Sequence, residues 1–137
     1  MIIRSPGELE AGAVHEDQFR SIDLFSTLLG LAGLSDRAPE TDGVDYRVKR
    51  PGPAFLETDI SYFKWNKRRY VKGVNGKLRA VRTDEWKLVY TPRKGAGLWE
   101  LFNLDDDPAE KVNLLKTGEA PKEITEALMH ELTKWMP

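Results

Sequence analysis

The sequence contains no cysteine, which excludes disulfides, thiolate metal sites and a cysteine nucleophile, while leaving the redox compartment open. Histidine is almost as scarce, with His15 and His130 far apart in the chain. No apolar run approaches the roughly 20 residues that a membrane-spanning helix needs, and residues 1–7 are too short for a signal peptide. No membrane partner is expected, and the compartment is left open. Internal repeats and low-complexity tracts are absent too, which excludes a solenoid or a linker.

What is there is a chain of 137 residues, 40% hydrophobic and 31% charged, in the range of one ordinary globular domain or a small domain carrying part of a neighbour. The net charge of −1 conceals an uneven distribution. Lys64, Lys67, Arg68, Arg69, Lys72, Lys77, Arg79 and Arg82 fall in a window without an acid, whereas Asp105, Asp106, Asp107, Glu110, Glu119, Glu123, Glu126 and Glu131 bias the last third the other way. Complementarity within the chain and an external anionic partner both fit that pattern.

The local signals outline an order of elements. Residues 1–4 read as half a strand, cut short by the Pro6-Gly7 turn, whose other half a partner or an upstream segment would supply. Residues 23–32 read as a helix apolar nearly all round and therefore buried, with Asp23 as N-cap and Gly33 at its C-terminal end. Residues 35–53, holding three Pro and two Gly, read as a surface connection. A strand over 54–60 precedes an aromatic and basic segment, 62–70, that has no clean period. Asn75-Gly76 predicts a tight hairpin joining 70–74 to 77–82. Thr83-Asp84-Glu85 and residues 92–97 predict two more reversals, flanking strands at 86–90 and 98–104, so an antiparallel meander results. Asp107-Pro108-Ala109-Glu110 has the chemistry of a helix start. A closing amphipathic helix over 121–136, with Ile124, Ala127, Leu128, Leu132 and Trp135 on one face, would cover one side of the meander.

Three segments, in this order, resemble the C-terminal third of sulfatases of the alkaline phosphatase superfamily. Ile2-Ile3-Arg4-Ser5-Pro6-Gly7 with residues 21–33 is similar to the family's last core strand and following helix, with Ser26 where the family usually has Pro. Residues 80–90, containing Arg82, Trp86, Lys87 and Leu88, resemble its R-x-x-x-W/Y-K-L hairpin. Residues 100–114, from Glu100-Leu101-Phe102 through Asp107-Pro108 and Glu110 to Asn113-Leu114, resemble its E-L-Y-D-L-x-x-D-P-x-E-x-x-N-L element, the most specific of the three.

The resemblance implies an α+β fold: a small antiparallel sheet of about four strands packed by a C-terminal helix, preceded by a strand and helix left from an α/β catalytic domain. Residues 1–34 would be that remnant, 35–53 the connection and 54–137 the C-terminal subdomain. It also implies that the formylglycine nucleophile and the calcium ligands lie upstream, since neither Ser5-Pro6-Gly7 nor Ser35-Asp36-Arg37 fits the C/S-x-P-x-R nucleophile motif. No cofactor is therefore expected in this chain. The expected partner is an N-terminal catalytic domain, with self-association through the exposed strand and helix as the alternative. The basic window would lie at the rim of the catalytic cleft, making Lys67, Arg68, Arg69 and Arg82 candidate substrate-rim residues; a solvated basic face is the competing reading.

Other readings of the same residues are weaker. Asp105-Asp106-Asp107 lacks the spacing of a calcium loop and reads as a turn. His15-Glu16-Asp17 reads as a polar entry to the helix, and Arg82 and Lys87 as partners of acids such as Glu100 or Asp107. Tyr62, Phe63, Trp65 and Tyr70 among the basic residues permit a module for anionic polysaccharide or nucleic acid, but no nucleic-acid-binding motif supports it and no nucleic acid is expected. A related hydrolase acting on phosphate diesters or phosphonates is the enzymatic alternative.

Overall fold

The computed structural model describes residues 1–48, 51–58, 63–64, 69–70, 77–93 and 96–136. The chain divides into two compact units, Met1–Gly52 and Pro53–Pro137.

The second unit is built on a four-stranded antiparallel sheet in the order β1-β4-β5-β6, where β1 is Ala54–Thr58, β4 Leu78–Arg82, β5 Trp86–Thr91 and β6 Leu98–Asn103. Two short strands, β2 (Phe63–Lys64) and β3 (Arg69–Tyr70), pair separately. The register explains why the alternating sequence folds this way: Phe55 faces Val81, Val81 faces Leu88, and Leu88 faces Leu101. Successive strand residues point to opposite sides, so this row lies on one face of the sheet. Val81, Leu88 and Leu101 form the core with Leu128 and Leu132 of the closing helix α3 (Lys122–Trp135). At the end of α3, the Trp135 ring stacks on Phe55 with centroids 5.2 Å apart.

The two reversals have simple causes. Thr83 closes the β4–β5 turn, its N–H donating to the Trp86 carbonyl at 2.8 Å and its hydroxyl accepting from the Trp86 N–H at 2.9 Å. Gly97, at φ 73°, opens β6 where a Cβ would stand 2.4 Å from the Tyr90 ring, so only glycine fits both the backbone and the neighbour.

Several local readings are corrected. Of the hairpin expected between 70–74 and 77–82, Tyr70 lies in β3 and pairs with β2, while β1 and β5 flank β4 on both sides; residues 71–76 lie outside the described residues. Asp107 caps no helix: its carboxylate accepts from the Lys111 and Val112 N–H groups, and the short helix α2 (Leu114–Thr117) begins later, capped by Asn113. Asn113 also accepts from the Leu101 N–H and donates to the Trp99 carbonyl. Ala127 stays exposed, and Met129 packs beside the core.

In the first unit, α1 spans Asp23–Leu31 and ends, as read, at Gly33 in the left-handed conformation. Residues 1–4 form no strand, with Ile2 97% exposed: a strand needs a neighbour for its backbone groups, and the described residues offer none. Asp23 is not the N-cap but the first residue of the helix, with Ile22 preceding it.

Candidate functional site

Two places concentrate polar chemistry. The first is the basic inner strand β4 with its neighbours. Lys77 and Arg79 both pair with Glu57 on the adjacent strand, Arg79 Nε at 3.0 Å, which holds the Glu57 carboxyl below its usual range through hydrogen bonds that outweigh its desolvation. Arg82 and Lys87 stand directly opposite each other across β4 and β5. Like charges so placed repel, and the structure relieves this on one side only. Both carboxylate oxygens of Glu110 accept from Lys87 Nζ at 2.7 Å, while Arg82 is exposed with no ion-pair partner among the described residues. The acid beside Lys87 is thus Glu110 rather than Glu100 or Asp107, whose carboxylate is engaged by backbone N–H groups.

Glu110 has φ 53°, the single described non-glycine residue in the left-handed region. That backbone conformation costs a side-chain-bearing residue about 1–2 kcal/mol. It is held by the Lys87 bridge and by the Glu110 N–H donating to the Asp107 carbonyl. No local pattern in the sequence marks this pairing, because 23 residues separate the partners.

Of the other rim candidates, Lys67 and Arg68 lie outside the described residues. Arg69 is in β3, paired with Lys64 in the two-stranded ribbon, so it does not share a sheet with Arg82.

The second place is α1, whose buried residues are Asp23, Thr27 and Gly30, none of them apolar and bulky. The Asp23 carboxylate is fully buried and accepts from Arg20 Nε at 2.9 Å, the Arg20 terminal nitrogen at 2.7 Å, and the Arg20 and Val44 N–H groups. Burial pushes the Asp23 carboxyl upward, but the Arg20 guanidinium and Val44 N–H outweigh it and hold the group below its ordinary value. Arg20 is correspondingly raised by the hydrogen bond to Asp23. Thr27 Oγ1 donates to the Asp23 carbonyl and accepts from the Tyr46 N–H, and Ser26 Oγ donates to the Gly43 carbonyl. Around Gly30 the fit is closed: a Cβ would lie 1.9 Å from Asp45 Oδ2. Residues 41–47 thereby cover the polar side of the helix. The other side is apolar and open, with Ile22 and Phe25 each 50% exposed and Leu28 47%. The helix was expected to be buried, and it is buried on the side that the apolar pattern does not mark.

The remaining clusters are turns and packing. Asn103 Oδ1 accepts from the Asp105 and Asp106 N–H groups, and the Asn103 amide donates to the Asp106 carboxylate. Asp17 accepts from the Tyr46 hydroxyl at 2.9 Å, and the His15 ring packs edge-on against Tyr46. Among the described residues no three His, Asp or Glu side chains converge to hold a metal ion. Nor is any described helix long and apolar enough to cross a membrane.

With this geometry in place, the chain can be set beside known proteins. It is 30% identical over 130 residues to the choline-sulfatase of Rhizobium meliloti, covering 88% of this chain and 22% of that one. It is 26% identical over 124 residues to an uncharacterized sulfatase of Schizosaccharomyces pombe, covering 84% and 21%. Among solved structures, a 2-O GAG sulfatase superposes with a TM-score of 0.57 at 28% identity, covering 80% of this chain and 23% of that one. The class thus defined is the sulfatases, and the match takes in their C-terminal part. The chain belongs to the family described as N-sulphoglucosamine sulphohydrolase, C-terminal, whose model matches residues 1–136. It spans about a fifth of the length of the curated relatives it matches.

Proposed function

We propose that this chain is the C-terminal flank of a sulfuric ester hydrolase, which completes the fold, lines one side of the catalytic cleft and supplies no catalytic residue. The nucleophile and calcium belong, in this reading, to the larger portion of the enzyme. The observation that carries it is the family match over nearly the whole chain combined with a span of only a fifth of each curated relative.

Within this reading Arg82 is the rim cation. Its neighbour Lys87 is neutralised by Glu110, so Arg82 alone of the pair presents an uncompensated charge to a sulfated substrate. Lys67, Arg68 and Arg69 would extend the same rim.

A chimera tests both parts: the choline-sulfatase with its matched C-terminal segment replaced by this chain. Hydrolysis of 4-nitrocatechol sulfate is expected from the chimera and not from this chain alone supplied with calcium. Arg82→Ala in the chimera should raise KM several-fold with kcat preserved, the signature of lost uniform binding. Turnover by the isolated chain would refute the division of labour, and an unchanged KM would remove Arg82 from the rim.

A further inference from the structure

We infer that Glu110 sets the charge selectivity of the rim: by occupying Lys87 it leaves Arg82 as a single free cation, which fits an ester bearing one sulfate and disfavours one with a second anionic group beside it. This deepens the functional reading and rests on it.

Arg82 and Lys87 are Cα partners across β4 and β5, and alternation puts both side chains on the sheet face opposite to Val81 and Leu88. Left alone, they would form a two-cation site for a pair of adjacent anionic groups. Glu110 removes one of the two. Its carboxylate oxygens each lie 2.7 Å from Lys87 Nζ, so two of the three ammonium donors are taken, and the trio carries one net positive charge instead of two. Arg82 is exposed, and its guanidinium has no hydrogen bond or ion pair among the described residues, so the remaining charge is the one that faces solvent.

Lys87 has another acid within reach and does not use it. Glu100 sits on the same sheet face, diagonal to Lys87, because Lys87 pairs with Phe102 and Val89 with Glu100. Long side chains can meet at that spacing, yet Glu100 makes no ion pair among the described residues. The partner is instead the loop residue, whose φ of 53° is a conformation that any residue with a Cβ adopts at a cost. Glycine would fit that backbone without strain but would leave Lys87 uncovered beside Arg82. A second anionic group on the substrate, lying over Lys87, would meet the Glu110 carboxylate and be repelled. Selectivity through an unfavourable contact of this kind requires no extra contact with the preferred ester.

Arg82→Ala, Glu110→Gln, their combination, and the combination with Lys87→Met added provide the test. In the choline-sulfatase chimera, E110Q should lower the KM for 4-nitrocatechol sulfate about threefold, the effect of one extra unit charge a few ångströms away in water, and the difference should fade at high salt. E110Q should also undo the KM rise of R82A, since the released Lys87 replaces the lost cation, and K87M should abolish that rescue. A merely structural role for Glu110 predicts no rescue. In the isolated chain, the Arg82 and Lys87 amide signals are followed by NMR during titration with benzenesulfonate and with benzene-1,2-disulfonate at constant ionic strength. E110Q should tighten the disulfonate about threefold more than the monosulfonate. A KM rise in R82A that E110Q does not reverse overturns the inference and leaves the rim reading standing, whereas no change in KM from either substitution overturns both. Equal gains for the two sulfonates, or no gain, likewise overturn the inference, and with an inactive chimera this second measurement alone decides it.

Discussion

The two units of this chain hide opposite kinds of side chain. Among the described residues, Pro53–Pro137 buries Val81, Leu88, Leu101, Leu128 and Leu132, with Ala80, Phe102 and one polar side chain, Thr91, beside them, whereas the side chains buried in Met1–Gly52 are Asp23 and Thr27. Apolar burial is the main favourable term in folding, while hydrogen bonds add little net stability and mainly penalise wrong arrangements. The second unit is thus organised to stand by its own core. The first is organised by its polar contacts, without an apolar core among the described residues.

That contrast is exposed to attack at several points. The largest effect is expected from Leu132→Ala, which deletes a fully buried side chain from the helix–sheet core and should cost about 2–5 kcal/mol in urea unfolding followed by tryptophan fluorescence. A loss below about 1 kcal/mol would mean the second unit does not depend on this core. Next comes Asp23→Ala, which removes the buried carboxylate that Arg20 and the Val44 N–H both donate to and should weaken the first unit by about 1–3 kcal/mol. Faster hydrogen exchange should appear at Val44 and Tyr46, with the tryptophan-monitored transition of the second unit unmoved. A shift in that transition would break the distinction between units.

Acid titration examines the same carboxylate. Asp23 has a lowered folded value, so its contribution is fully present above the ordinary aspartate value of about 3.9 and is lost as pH falls through the folded value. Exchange protection at Val44 should therefore hold at pH 5 and above and decline in stronger acid. Loss of protection between pH 5 and 7 would contradict the pairing with Arg20. The smallest effect concerns the loop before α2. Glu110→Gln should cost no more than about 1 kcal/mol, because the bridge to Lys87 is partly exposed and screened. Glu110→Gly should be more stable than Glu110→Ala by roughly 1 kcal/mol, since glycine relieves the left-handed backbone while both lose the bridge.

Much of the second unit could be read from residues alone, because its determinants are local. Alternation places Val81, Leu88 and Leu101 on one side, and Thr83-Asp84-Glu85 and Gly97 mark the reversals. The reading failed where a local signal competed with a distant partner. Asn75-Gly76 favours a hairpin, yet Ala54–Thr58 holds the edge of β4 that the hairpin would need. Asp107-Pro108 resembles a helix start, yet its carboxylate turns to Lys111 and Val112 while Glu110 reaches Lys87. For α1 the period was legible and the burial was not, since an apolar pattern says which side prefers to leave water without saying what covers it. Of the proposed rim, only the Arg82 side chain is described, and its distinction from Lys87 depends on Glu110, which sequence spacing does not reveal.

Asn113 has a consequence beyond capping α2. Its amide meets the outward-facing Trp99 carbonyl and Leu101 N–H of the last strand, imitating the short stretch of backbone that a fifth strand would present. A row of unsatisfied peptide groups invites foreign chains to zip on and propagate fibrils. One side chain blunts that tendency at the open end of the ladder, so the module's last strand is guarded against recruiting its neighbours.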